Sequence, residues 1–197
     1  MTSSFTGHIA GLGTSSGVRL VVGVWDESPF GPFADVMVED ASGRRTLLAA
    51  RQAVADFVSS VYAFDDVRVE PVSVEQGDEW SVHTRSLQLR FTPGPRLWVA
   101  PLLGLVPPGL RRTETWAKMC SPVAGLVMPG VRTHGSAGNG RTEWYAAKDV
   151  RRLVDARATW EGEELGALCP VEPPVHFGFA SSPATPTLTA LTSYVRG

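Results

Sequence analysis

The sequence predicts a mainly β chain (α+β): one domain, residues 1–197, built on an antiparallel sheet with one or two helices. Three observations predict it. The apolar stretches are short and are broken repeatedly by proline and glycine, as at 28–33, 93–95 and 107–109. Residues 82–91 alternate in period two, Val82, Thr84, Ser86, Gln88 and Arg90 against His83, Arg85, Leu87, Leu89 and Phe91. Helical spacing is clear in a single place, 50–62.

Taken in order, residues 1–17 are rich in Gly, Ser and Thr and read as a flexible lead-in. Val18 to Trp25 is the first strongly apolar stretch, interrupted by Arg19 and Gly23, and reads as a buried strand. Ser28-Pro29-Phe30-Gly31-Pro32-Phe33 forces a turn, after which Ala34 to Val38 resumes strand character. Asp40-Ala41-Ser42-Gly43 is a hairpin turn into Arg44 to Ala49. Val54, Phe57, Val58 and Val61 recur at three and four residues, one face of a helix. Val67 to Val74, Trp80 to Thr92 and Arg96 to Val106 read as further strands. Leu110 to Met128 is compositionally mixed, and 129–141, with four glycines, reads as a long loop or a wide hairpin tip. Thr142 to Thr159 supports two readings, since Val150, Leu153 and Val154 suit a helix turn while Trp144-Tyr145 and Thr159-Trp160 suit strands. The β-branched and aromatic residues of Val175 to Phe179 and Pro186 to Val195 predict a last strand covering the sheet.

With 197 residues, 43% hydrophobic and 19% charged, the chain is long and apolar enough to form a core without disulfides or metal. Its 18 basic and 20 acidic side chains leave a charge of −2, which lacks the positive field that nucleic-acid binding needs. No apolar run reaches the length of a membrane span, and the start has no basic, apolar signal pattern, so the expectation is a cytoplasmic protein with no membrane partner. Cys120 and Cys169 then read as two free thiols. Only Lys118 and Lys148 supply side-chain amines.

Several motifs are set aside. Gly7, Gly11, Gly13 and Gly17 precede a strand, whereas a phosphate loop follows a strand and opens a helix. His8, His83, His134 and His176 lack the spacing that puts two imidazoles on one helical face, so no metal is expected. No Gly-x-Ser-x-Gly elbow occurs. The six tryptophans suit core and rim packing. Three groups keep functional interest. His134 lies beside Arg132 in the glycine-rich stretch, where imidazole and guanidinium suit an anionic ligand. Ser28 to Asp35 lifts a carboxylate out of a rigid turn into a strand. Arg111 to Cys120 gathers Arg112, Glu114, Trp116, Lys118 and Cys120 in an apolar region, where a lysine can lose its charge and attack a carbonyl.

Together the last two segments resemble the acetoacetate decarboxylase family. Ser28, Pro29, Gly31, Pro32, Phe33 and Asp35 match its serine-proline-x-glycine-proline-aromatic-x-acid turn, with aspartate as the acid. Glu114 and Trp116 match its glutamate-x-tryptophan step ahead of the Schiff-base lysine. At the position of that lysine this chain has Cys120, and Lys118 lies two residues earlier; in a strand Trp116, Lys118 and Cys120 share a face. The resemblance covers about 20 residues and implies an antiparallel β cone or barrel around a small apolar pocket. It implies a lyase of decarboxylase type acting on a small carbonyl or carboxylate compound, with Lys118 as imine former and Glu114 and Asp35 as proton carriers. Arg112 or Arg132, the latter with His134, would hold the anion, beside Trp116 and Cys120. No added cofactor is required, and exposed strand edges suit a homo-oligomer. Two other readings use the same pocket: a non-catalytic binding or assembly protein, which Cys120 favours, and a lysine-independent cyclase or isomerase working by acid–base residues alone.

Overall fold

The computed structural model describes residues 2–127, 131–137, 140–178 and 182–197. In chain order the elements are β1 (Thr2–Thr14), β2 (Arg19–Glu27), β3 (Phe33–Glu39), β4 (Arg45–Ala49), α1 (Gln52–Val61), β5 (Asp66–Val69), β6 (Ser73–Glu75), β7 (Trp80–His83), β8 (Leu87–Arg96), α2 (Ala100–Leu105), α3 (Pro108–Arg111), α4 (Glu114–Val127), β9 (His134–Ala137), β10 (Arg141–Trp160), β11 (Glu163–Glu164), β12 (Leu168–Cys169) and β13 (Thr187–Arg196). The strands make one strongly curled half-barrel sheet, mainly β as the sequence predicts. Its order is β5-β4-β3-β2-β1-β13-β10-β8-β7-β6, with β9 and β11 pairing on β10 and β12 on β1. These pairings are antiparallel apart from β4 with β5. A parallel pair needs a crossover, and α1 supplies it, which is why this helix lies against the sheet.

Curling leaves β2 and β3 buried on both faces. Leu20, Val22, Val24, Ala34, Val36 and Val38 join one apolar cluster with Leu12, Trp80, Leu89 and Phe91. Their alternate neighbours Val21, Phe33 and Met37 join a second, beneath Val54, Ala55, Val58 and Val61 of α1. Period-two alternation thus serves two cores at once, and both faces of these strands read as apolar.

Several expectations change. Residues 2–14 are no flexible lead-in: β1 is central, paired with β2 on one side and β13 on the other. Its glycines fit close approaches, since a Cβ on Gly7 would lie 2.0 Å from the Val24 carbonyl oxygen. Residues 100–105 form α2 rather than a strand, and the described residues hold four helices instead of one or two. The 114–120 segment is helical: Thr113 Oγ1 accepts the Trp116 N–H at 3.3 Å, and Glu114 sits in the first turn of α4, where an acid suits the helix dipole. In this helix Trp116 and Cys120, four residues apart, share a half-buried face, and Lys118 lies exposed off it. Residues 141–160 settle as one long strand, and β9 folds back on it as a hairpin arm. The expected strand at 175–179 is irregular over 175–178, and Phe179 lies outside the described residues.

Candidate functional site

Between α1 and the sheet lies a mainly apolar cavity of about 60 Å³. Phe5 and Ile9 come from β1, Val21, Gly23 and Trp25 from β2, Phe33, Asp35 and Met37 from β3, and Phe57, Val58 and Val61 from α1. Tyr62, Glu143, Tyr145, Ser182 and Ser193 supply the polar part.

The turn at 28–33 builds one side. Ser28 Oγ donates to the Gly31 carbonyl at 2.6 Å and accepts the Phe30 N–H at 3.0 Å, and Gly31 adopts φ 75°, a conformation that favours glycine. Arg51, at the start of α1, donates to the carbonyls of Phe30 and Pro32 and locks the turn against the helix. Phe30 and Phe33 then pack on Phe5, and Phe30 on Phe57, as an aromatic wall. Immediately beyond it, Asp35 points into the cavity.

Asp35 is 2% exposed, and Trp25 Nε1–H donates to its Oδ1 at 3.0 Å. Burial pushes its carboxyl up to about 7, against the smaller opposing effect of the indole hydrogen bond. Gly23 makes room for this pair, because a Cβ there would stand 2.7 Å from both Asp35 Oδ1 and Trp25 Nε1.

Glu143 is the second buried carboxyl. It accepts from Tyr62 Oη at 2.7 and 2.9 Å and from Ser193 Oγ at 2.8 Å. Burial raises its proton affinity, while hydrogen bonds from Tyr62, Ser193 and Tyr145 act the other way. Tyr62 and Tyr145 are held well above the usual phenol range by burial and by the neighbouring carboxyl, so both stay as hydroxyls. Tyr62 follows the last turn of α1, and Glu143 and Tyr145 stand opposite Val195 and Ser193 in the β10–β13 ladder. A register shift between Ala147 and Asp149 then turns β10 over. As a result Asp149 and Arg151 line a different, more open cavity of about 480 Å³ on the other face, with His8 and Trp80. There Asp149 is bound to Arg96 at 3.0 Å. Neither Asp35 nor Glu143 has an ion-pair partner among the described residues.

Of the candidate catalytic and ligand-binding residues named from the sequence, Asp35 alone reaches this cavity. Glu114, Lys118 and His134 do come together, but elsewhere. Glu114 is the hub of a surface cluster, 2.9 Å from Lys118 Nζ, 3.1 Å from His134 Nε2 and 2.6 Å from Arg196 Nη1. Hydrogen bonds from Lys118 first, then His134 and Arg196, hold its carboxyl down to about 2. Lys118 is 57% exposed and ion-paired, the reverse of the apolar setting that yields a neutral amine. Arg112 and Arg132 are exposed, with the Arg112 carbonyl accepting from Trp144 Nε1 at 3.1 Å. Trp116 and Cys120 are half-buried on α4; burial raises the Cys120 thiol, which like Cys169 is free. Glu143, Tyr62 and Tyr145 escaped the sequence reading, although Glu143 and Tyr145 lie two apart in a stretch that alternates with apolar Trp144 and Ala146. Among the described residues, no three His, Cys, Asp or Glu side chains converge as a metal site would require, and no helix is long and apolar enough to cross a membrane.

Compared with known proteins, the chain matches no family model and no curated protein. A solved protein from Nitrosomonas europaea, provisionally assigned as AttH, aligns over 98% of this chain at a TM-score of 0.30 and 11% identity. The chain spans half the length of that protein, and the likeness is too slight to carry a functional argument.

Proposed function

We propose that the cavity beneath α1 holds a small carbonyl compound and that its buried carboxyls move protons on it without a lysine. The observation that carries this reading is the pair of uncompensated acids, Asp35 and Glu143, facing one apolar space. An acid titrating near 7 is matched to giving and taking protons at neutral pH. In the proposed reaction, protonated Asp35 donates to the carbonyl oxygen while the Glu143 carboxylate takes a proton from the adjacent carbon. The enol so formed returns to the ketone as the two protons move back, so that the α-carbon exchanges its proton with solvent. Tyr62 and Tyr145 orient Glu143 and stay protonated. At about 60 Å³ the cavity is below the roughly 300–1,000 Å³ typical for drug-sized ligands and suits a compound of few heavy atoms.

The resemblance to acetoacetate decarboxylases supports this in its acidic half, the turn that delivers Asp35. Its amine half is not supported, because Lys118 is solvated, paired with Glu114 and absent from the cavity lining. Imine-forming decarboxylation is therefore the weaker reading. Deuterium uptake from heavy water into the α-carbons of small ketones distinguishes the two. The proposal expects uptake that Asp35→Asn and Glu143→Gln abolish and Lys118→Arg retains. Uptake lost in Lys118→Arg, with a borohydride-trapped adduct in the wild type, would overturn it. Binding without uptake would reduce the protein to a non-catalytic carrier.

A further inference from the structure

The segment after β8 exposes what a folded chain normally hides. Leu97 to Leu110 holds no charged residue, yet Trp98 is 68%, Leu102 52%, Leu105 78% and Leu110 44% exposed. Ala100 anchors α2, but most of α2 and most of α3 face outward. Isolated exposed leucines are ordinary; a continuous exposed apolar segment marks a contact surface.

Charge identifies the partner. Of the arginines that flank it, Arg96 is paired with Asp149, whereas Arg111 and Arg112 have no ion-pair partner among the described residues. Arg111 donates to the Leu103 carbonyl at 3.2 Å, which folds the arginine pair back beside the apolar segment. Arg112 is exposed. A second copy docking by two-fold symmetry would set the Arg111–Arg112 pair against its own copy, like charge facing like. An anionic lipid surface supplies both halves: acyl chains for the leucines and headgroup phosphates for the arginines, with Trp98 at the boundary where indoles concentrate. The segment is shorter than the roughly 20 residues that cross a bilayer, so it lies in the interface.

We infer that the α2–α3 segment docks this protein on the surface of an anionic membrane. The inference is independent of the reaction proposed for the cavity.

Co-sedimentation of the full chain tests it, with vesicles of phosphatidylcholine alone or in equal parts with phosphatidylglycerol. The expected result is binding to the anionic vesicles that weakens with added salt. Joint replacement Leu102→Ser and Leu105→Ser, at exposed positions, leaves the circular dichroism unchanged and abolishes binding. Arg111→Ser with Arg112→Ser lowers affinity for the anionic vesicles on the order of thirty-fold, from the usual contribution of each basic residue near such a surface. In the wild type, brominated lipid quenches a part of the tryptophan emission that Trp98→Phe removes. A wild-type protein left in the supernatant with both vesicles overturns the inference, as does binding that the leucine variant retains. A dimer in velocity sedimentation that the leucine variant dissolves, without vesicle binding, assigns the patch to a second copy and also overturns it.

Discussion

Replacing Asp35 by asparagine preserves the shape of the side chain and removes its proton. Asp35 lies 2% exposed beside Trp25, and burial lifts its pKa from 3.8 to about 7. Between these values the native protein keeps a proton that the unfolded chain has released. Stability therefore falls as pH rises through that range and levels off above about pH 7. At about 1.4 kcal/mol per pKa unit, moving from 3.8 to about 7 amounts to about 4 kcal/mol of lost stability. The asparagine variant has no such loss. Urea unfolding of both proteins at about pH 4 and about pH 8 reads the difference, and the variant should gain about 4 kcal/mol on the wild type between them. Parallel stability curves would refute the reasoning by showing that Asp35 titrates like a solvated carboxyl. A wild type that gains on the variant as pH rises would show that some cation holds Asp35 ionised.

Glu143→Ala should cost about 2–4 kcal/mol in thermal or urea unfolding, because it strands the hydroxyls of Tyr62 and Ser193 without their acceptor; Glu143→Gln should cost clearly less. Gly23→Ala drives a methyl into the Asp35–Trp25 pair and should destabilise by about 1–3 kcal/mol, with the Asp35 titration displaced in carbon-13 NMR. Arg19→Ala leaves Glu39 buried without its guanidinium, with hydrogen bonds to His176 remaining, and should cost about 3–5 kcal/mol by denaturant unfolding. Glu114→Gln, at the surface cluster, should change stability by about 1 kcal/mol or less and leave ketone deuteration intact.

Local rules explain what the sequence makes legible. Val18 to Trp25 and Ala34 to Val38 are apolar on both faces because β2 and β3 separate two cores, and the helical spacing of Val54, Val58 and Val61 reports the one face that α1 buries. Asp35 is legible because a rigid turn delivers it within a few residues. β1 is disguised by Gly7, Gly11 and Gly13, which look like linker but sit where other groups pass within van der Waals reach. The Glu114 segment misleads through its spacing in twos; Thr113 as a helix cap is the overlooked local signal. Glu143 and Tyr62 are separated from Asp35 by more than 100 and by 27 positions. The curl of the sheet and the crossover through α1 bring them to one cavity, and no local pattern encodes that convergence.

The most direct test of the central claim is a carbon-13 NMR titration of the Asp35 carboxyl with and without acetone, followed together with the methyl groups of Val21, Val58 and Val61. The account predicts an Asp35 midpoint near 7, moved by acetone, with shifts in those methyls. A midpoint near the ordinary 3.8, with the methyls indifferent to the ketone, would contradict it.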